Sequence, residues 1–215
     1  MTRTVLLTGF EPFGGERINA SAEAVRAVDA EALPSDVRLV RAVLPVTFEG
    51  AVRALRERLD ELAPSVVVCT GQAGGRAAIS VERVAINVAD ASMRDNVGAQ
   101  PIDVPIEEDG PVAYWSTLPI KATVAAIGES GVPAEVSQTA GTFVCNYVFY
   151  GLMHALRDIE EARAGFIHLP HLPTQAAKSK TPCLPVEAQA RALEIAIAIA
   201  LTTRHDVKRG GGATH

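Results

Sequence analysis

The stretch Ser65-Val66-Val67-Val68-Cys69-Thr70 is uncharged and valine-rich, and it follows a helical pattern stopped by Pro64. A short run with no polar alternation is what a strand buried on both faces of a parallel sheet requires. Working outward, Arg3–Gly9 is a second such run, ending in glycine. Between the two lie a helix predicted from Ser21, as its N-cap, to about Ala32, a strand over Val37–Val46 and a helix over Thr47–Leu62. That helix carries Val52, Leu55 and Leu59 at helical spacing. Strand, helix, strand, helix, strand in that order predicts a three-layer α/β/α sandwich with a twisted, largely parallel, mixed central sheet.

The remainder is less regular. Ala78–Asn87 alternates weakly, as a strand or hairpin arm, and Asp90–Gly110 reads as a long loop. Helices are expected over Pro119–Glu129, Phe143–Ile159 and Val186–Thr203, and strands over Ala134–Gln138 and Gly165–Leu169. No repeat, linker or charge block divides the chain, so residues 1–207 are expected to form one domain and 208–215 a disordered tail. At 215 residues such a domain buries roughly 70% of its unfolded surface, enough for a core without disulfides or metals.

The totals exclude several classes. The net charge is −5 with both signs mixed, so nucleic acid is not an expected partner. The longest uncharged stretch, Val136–Leu156, is interrupted by Ser137, Gln138, Thr139, Gly141, Asn146 and His154. It reads as a buried strand and helix, not a membrane span. No secretory leader is visible, and three widely spaced cysteines form neither a disulfide framework nor a paired metal motif. The chain is expected to be soluble, cytoplasmic and off the membrane.

Ligands of such sheets sit outside the carboxyl ends of the strands. Clusters following the strands near residues 10, 71, 138 and 168 should therefore converge on one edge. Cys145 opens a predicted helix, where the dipole and free amides would favour the thiolate and lower its pKa. Core packing is the plain alternative, since Cys145, Phe149, Leu152 and Leu156 share a helical face. His168, at the end of a predicted strand, is a candidate base for that thiol. His168, His171 and Cys183 could supply three zinc ligands, but the spacing is poor and no fourth ligand is evident, so no metal is expected. Glu82, in the mostly apolar run Ser80–Asn87, needs a partner: the imidazole of His168, or Arg83 or another base. Asp90, Asp95 and Asp103 are competing carboxylates. The glycine-rich turns Gly9–Gly15 and Gly71–Gly75 match neither the Walker loop nor the dinucleotide fingerprint.

Four blocks of this chain, taken together, resemble pyroglutamyl peptidase type I, the pyrrolidone-carboxylate peptidases. They are Gly9-Phe10-Glu11-Pro12-Phe13-Gly14-Gly15 with Asn19; Gly75-Arg76 through Glu82–Asn87 to Asp95-Asn96 and Gln100–Asp103; Ala140–Asn146; and Gly165–Pro170. The resemblance implies a cytosolic cysteine peptidase that removes an N-terminal pyroglutamyl residue, with no cofactor or metal, often as a homotetramer; a dimer is the other assembly considered. It assigns Cys145 as nucleophile, His168 as general base and acid, and Glu82 as the group orienting His168. By the same similarity Phe10, Phe13 and Phe143, with Val144 and Met93, wall a pocket for the neutral lactam, and Gln72 and Thr47 line it or bond the ring. Where the family usually reads Asp-Ala-Arg-x-Pro-Asp-Asn, this chain reads Asp90-Ala91-Ser92-Met93-Arg94-Asp95-Asn96. Ser92 replaces the arginine, and Arg94 is the candidate substitute. The competing expectations are a cysteine amidase for another small acyl group and a weakly active pyroglutamyl-peptide binding protein.

Overall fold

The computed structural model describes residues 2–212, the side chains of Lys178 and Ser179 excepted. The chain runs β1 (Arg3–Phe10), α1 (Ala20–Ala27), β2 (Val37–Leu44), α2 (Phe48–Leu62), β3 (Val66–Gln72), β4 (Ile79–Glu82) and β5 (Val84–Ile86). It continues through β6 (Ala113–Trp115), α3 (Ile120–Glu129), β7 (Ala134–Ser137), α4 (Val144–Ala155), β8 (Arg163–Leu169), α5 (Pro173–Ser179) and α6 (Val186–Thr202). Six strands form one sheet in the order β2-β1-β3-β8-β4-β7, and β5 pairs with β6 apart from it. Every pairing in the main sheet is parallel except β4 with β8. The three-layer, mixed, mostly parallel sandwich is therefore present.

Because side chains alternate across a strand, each buried strand feeds two cores. Val5, Leu7, Val66, Val68, Ile79, Val81, Ile167 and Leu169 point to one side, under α1, α3 and α6. Leu6, Phe10, Val67, Cys69, Ala164 and Phe166 point to the other, under α2 and α4. Burial on both sides explains why β1 and β3 read as unbroken apolar runs.

Several boundaries differ from expectation for local reasons. Helix α1 is capped by Asn19, whose Oδ1 accepts from Ser21 N at 3.0 Å. Ser21 is buried instead, its Oγ accepting from Phe10 N at 2.9 Å. The helix stops at Ala27, and Asp29 caps a separate 3-10 turn over Ala30–Ala32. The segment 78–87 breaks at Arg83, so that β4 joins the main sheet and β5 the small one. Strand β7 runs with β4, against β8. Its carboxyl end is thus not on the edge shared by β1, β3 and β8, and Gln138–Phe143 carry the chain back to α4. Helix α4 ends at Ala155, four residues short of the expected Ile159. Residues 208–212 carry no regular element, and Arg83 Nη2 donates to Gly211 O at 3.3 Å. The rest of the expected tail, 213–215, and Met1 lie outside the described residues. Among the described residues no helix is long and apolar enough to cross a membrane.

Candidate active site

The alternation that fills the α2/α4 core also aims polar groups into it. Beyond Phe166, the next β8 residue on that face is His168, and the two rings lie 4.9 Å apart. Strand β4 runs antiparallel to β8, with Ser80 opposite His168 and Val81 opposite Ile167. Glu82 consequently sits on the same face, one pleat along. Its Oε1 is 2.7 Å from His168 Nδ1. Both side chains are buried, Glu82 completely and His168 to 4% exposure. A carboxylate on Nδ1 sets the ring so that Nε2 is left for a reacting group. The same Oε1 accepts from Arg76 Nη1 at 2.7 Å. Arg83, the neighbour considered as partner, turns away towards Gly211.

Cys145 is the second residue of α4. The residue as a whole is half-buried, with its sulfur turned onto the sheet at Gly71. A Cβ on Gly71 would stand 2.8 Å from Cys145 Sγ and 2.9 Å from Phe166 Cζ. Only glycine leaves room for the thiol there. Gly71 is the register partner of His168, so sulfur and imidazole meet at one level of the sheet. The first amides of α4, at Val144, Cys145 and Asn146, have no intrahelical acceptor, so the turn that carries the thiol has free donors. Asn146 ties this turn down: its Oδ1 accepts from Ile86 N, and its Nδ2 donates to Ile86 O and Val88 O.

The thiol does not follow the expected lowering. Burial pushes Cys145 up, to about 12; the charge of Glu82 adds to this and Arg76 opposes it. Desolvation of a thiolate outweighs the helix end here, so the resting group is a neutral thiol that needs a base. Cys69, on the same face of β3, is also pushed to about 12 by burial, with a Thr8 hydroxyl bond opposing.

Beside the thiol, Phe10, Phe13, Asn19, Val46, Gln72, Phe143, Val144 and Cys145 line a small cavity. Phe13 and Phe143 pair at 6.4 Å, Phe48 stands edge-on to Phe143 at 5.3 Å, and Phe10 packs on Phe166 at 6.5 Å. Gln72 Oε1 is already used, accepting from Ala20 N at 2.8 Å and Gln175 Nε2 at 2.9 Å. Its amide N–H groups are what it can offer a ligand. Thr47 lies one residue beyond the cavity, where Val46 takes the expected place. Met93 is not among the lining residues; it is 39% exposed, over Gly14. Arg94 reaches back to Gly98 O at 3.4 Å, on its own loop, instead of towards the thiol. Phe149 and Tyr150 are core, the Tyr150 hydroxyl donating to Pro111 O. His168, His171 and Cys183 diverge: His168 faces Glu82, His171 bonds Thr181, and Cys183 is exposed. No group of three metal-ligating side chains occurs among the described residues.

Sequence reasoning missed the clamp that holds the cavity's loops together. Glu11 Oε1 accepts from Val46 N and from Asn96 Nδ2, which also donates to Pro12 O. Asp95 accepts from Phe48 N at the start of α2 and from Val97 N and Ala99 N. Asp95 and Asn96 lie in one of the four blocks, but nothing local in the sequence names their partners.

The model of the family described as pyroglutamyl peptidase matches residues 3–203. The chain belongs to the pyroglutamyl peptidase family. It is 57% identical to a pyrrolidone-carboxylate peptidase of Cupriavidus taiwanensis, over 99% of both chains. It is 54% identical to that of Escherichia fergusonii, over 99% of this chain and 100% of the relative. Among solved structures, pyroglutamyl peptidase I of Bacillus amyloliquefaciens superposes with a TM-score of 0.93 at 44% identity, covering 98% of this chain and all of the other. The pyrrolidone carboxyl peptidase of Thermococcus litoralis gives 0.91 at 37%, covering 97% and 100%. The four blocks shared with pyroglutamyl peptidases are thus part of a match along nearly the whole chain.

Proposed function

We propose that this chain hydrolyses the peptide bond after an N-terminal pyroglutamyl residue, with Cys145 as nucleophile, His168 as general base and acid, and Glu82 orienting His168. The observation that carries the reading is the 2.7 Å contact of Glu82 with His168 Nδ1 at the sheet level of the Cys145 thiol. As sulfur attacks the carbonyl, its proton passes to His168 Nε2, and buried Glu82 stabilises the imidazolium. The oxyanion faces the free amides of the first turn of α4. His168 then gives its proton to the departing amine, leaving a thioester. Water, deprotonated by His168, attacks the thioester. Pyroglutamate leaves and the proton returns to sulfur.

The cavity suits the acyl group. A lactam is flat, neutral and short of polar groups, so Phe13 and Phe143 with Val144 offer it walls, and the Gln72 amide offers its carbonyl a donor. A charged N-terminal amine would find no partner among those walls. The remaining parts of the reading are a cytoplasmic setting and a homo-oligomer, tetramer or dimer, without nucleic acid or membrane partners. Exposed Val97, Ile102, Val112 and Trp115 are in keeping with contacts between copies, which sedimentation measures directly.

The deciding experiment is hydrolysis of a pyroglutamyl aminocoumarin amide by the wild type and Cys145→Ala. Loss of about 10⁴-fold or more in kcat/KM with an unchanged melting temperature is expected. Equal activity removes Cys145 as nucleophile. An inactive wild type that cleaves another acyl amide would turn the reading to that acyl group.

A further inference from the structure

The acid of the site has a second partner. Arg76 lies in the connection between β3 and β4, and its guanidinium makes three contacts. Nη1 donates to Glu82 Oε1 at 2.7 Å and to Ser137 Oγ at 3.2 Å, and Nη2 to Thr139 O at 2.9 Å. Ser137 Oγ also donates to Thr139 O at 3.1 Å, and Thr139 Oγ1 accepts from Gly141 N at 3.0 Å. Four residues later in the chain comes Cys145. One planar fork therefore holds the carboxylate that faces His168 and the segment that leads to the nucleophile.

Glu82 needs such a hold. Both of its hydrogen bonds fall on Oε1, and Oε2 is buried with no partner. Nothing on the far oxygen resists rotation of the carboxylate about its own axis. Among the described residues Arg76 is the only arginine or lysine paired with it. From these contacts we propose that Arg76 is a positioning residue: it fixes Glu82 against His168 and sets the Ser137–Gly141 segment that delivers Cys145. It touches neither thiol nor imidazole in this role. A guanidinium can bridge carboxylate and carbonyl at once, whereas an ammonium is a point charge that serves one well.

This inference rests on the roles proposed for Glu82, Cys145 and His168, and the test separates the two. Steady-state kinetics on the pyroglutamyl aminocoumarin amide are measured for wild type, Arg76→Met, Arg76→Lys, Glu82→Gln and the Arg76→Met/Glu82→Gln double variant. Arg76→Met should lose about a hundredfold in kcat, the order expected of a small misplacement, with KM changed less than about twofold. Arg76→Lys should recover part of the loss. In the Glu82→Gln background, Arg76→Met should cost less than alone, because part of its effect runs through Glu82. Wild-type kcat in Arg76→Met overturns the inference, as does a loss fully additive with Glu82→Gln. A fall in melting temperature that Arg76→Lys restores without restoring kcat also overturns it. If Glu82→Gln loses activity and Arg76→Met keeps wild-type kcat, this inference alone fails. If Glu82→Gln is fully active, the triad reading fails and takes this one with it.

Discussion

The two faces of the central sheet are built from the same strands and differ in kind. Under α1, α3 and α6 the large buried strand residues are Val, Leu and Ile, and the one buried polar side chain, Thr70, is used up on Thr8 O. Under α2 and α4 the same strands present Thr8, Cys69, Gly71, Ser80, Glu82, Phe166 and His168. The first face is packing; its contribution is the burial of roughly 1.5–3 kcal/mol for each large side chain. The second sacrifices apolar contact for a line of groups that meet only in the fold. Stability and chemistry are thereby separated by one pleat, and neighbouring residues in one strand answer to different requirements.

That division can be broken by substitution. Glu82→Gln should lower kcat by about 10³–10⁴-fold, by analogy with removing the charge of a triad acid, while shifting the melting temperature little. Leu193→Ala, on the opposite face and fully buried in α6, should do the reverse. It should cost about 2–5 kcal/mol of stability and leave kcat per folded molecule intact. Calorimetry and single-turnover rates on both variants test the pair together. A Leu193→Ala enzyme with impaired chemistry would show that the faces are coupled.

The aromatic cluster sharpens the comparison within the chemical face. Phe10 is buried to 2% and packs on Phe166. Phe13 and Phe143 are only partly buried. Phe10→Ala is thus expected to cost about 3–5 kcal/mol in stability. Phe13→Ala should instead raise KM about tenfold, the scale of one apolar contact in a pocket, with a melting temperature close to wild type. Equal effects of the two on KM would remove the distinction.

The last effect, confined to alkaline pH, comes from the thiols. Cys69 and Cys145 are both raised by burial from about 9 to about 12. Below the unfolded value both states are protonated and stability is constant. Between about 9 and 12 the unfolded chain gives up protons that the folded chain keeps. Stability then falls by about 1.4 kcal/mol per pH unit for each thiol. Urea unfolding from pH 8 to 11 should show that slope, and Cys69→Ala should remove about half of it.

Much of the architecture was legible because β1 and β3 are long and buried on both faces, a pattern that only a parallel sheet requires. Cys145, His168 and Glu82 were legible as residue types at element ends. The rest depended on pairings across the chain. Nothing local in Ile79–Glu82 or Ala134–Ser137 says that these strands run against β8, and three-residue β6 is too short to carry a period. Arg76 meets Thr139 across 63 positions, and Glu11 meets Asn96 across 85. Such partners are products of topology. The thiol departs from expectation for a similar reason: the helix start is local and visible, whereas the sheet surface at Gly71 and Phe166 that the sulfur lies on is assembled only by the fold.

That buried, protonated sulfur has a consequence for durability. Oxidants and alkylators attack thiolates, and a thiol held near 12 is almost wholly protonated at neutral pH. The unliganded protein should therefore outlast an exposed cysteine such as Cys183 in dilute peroxide or iodoacetamide. A reagent shaped like the acyl group would reach the sulfur together with the base that ionises it, and so would disarm the molecule far faster than its intrinsic reactivity predicts.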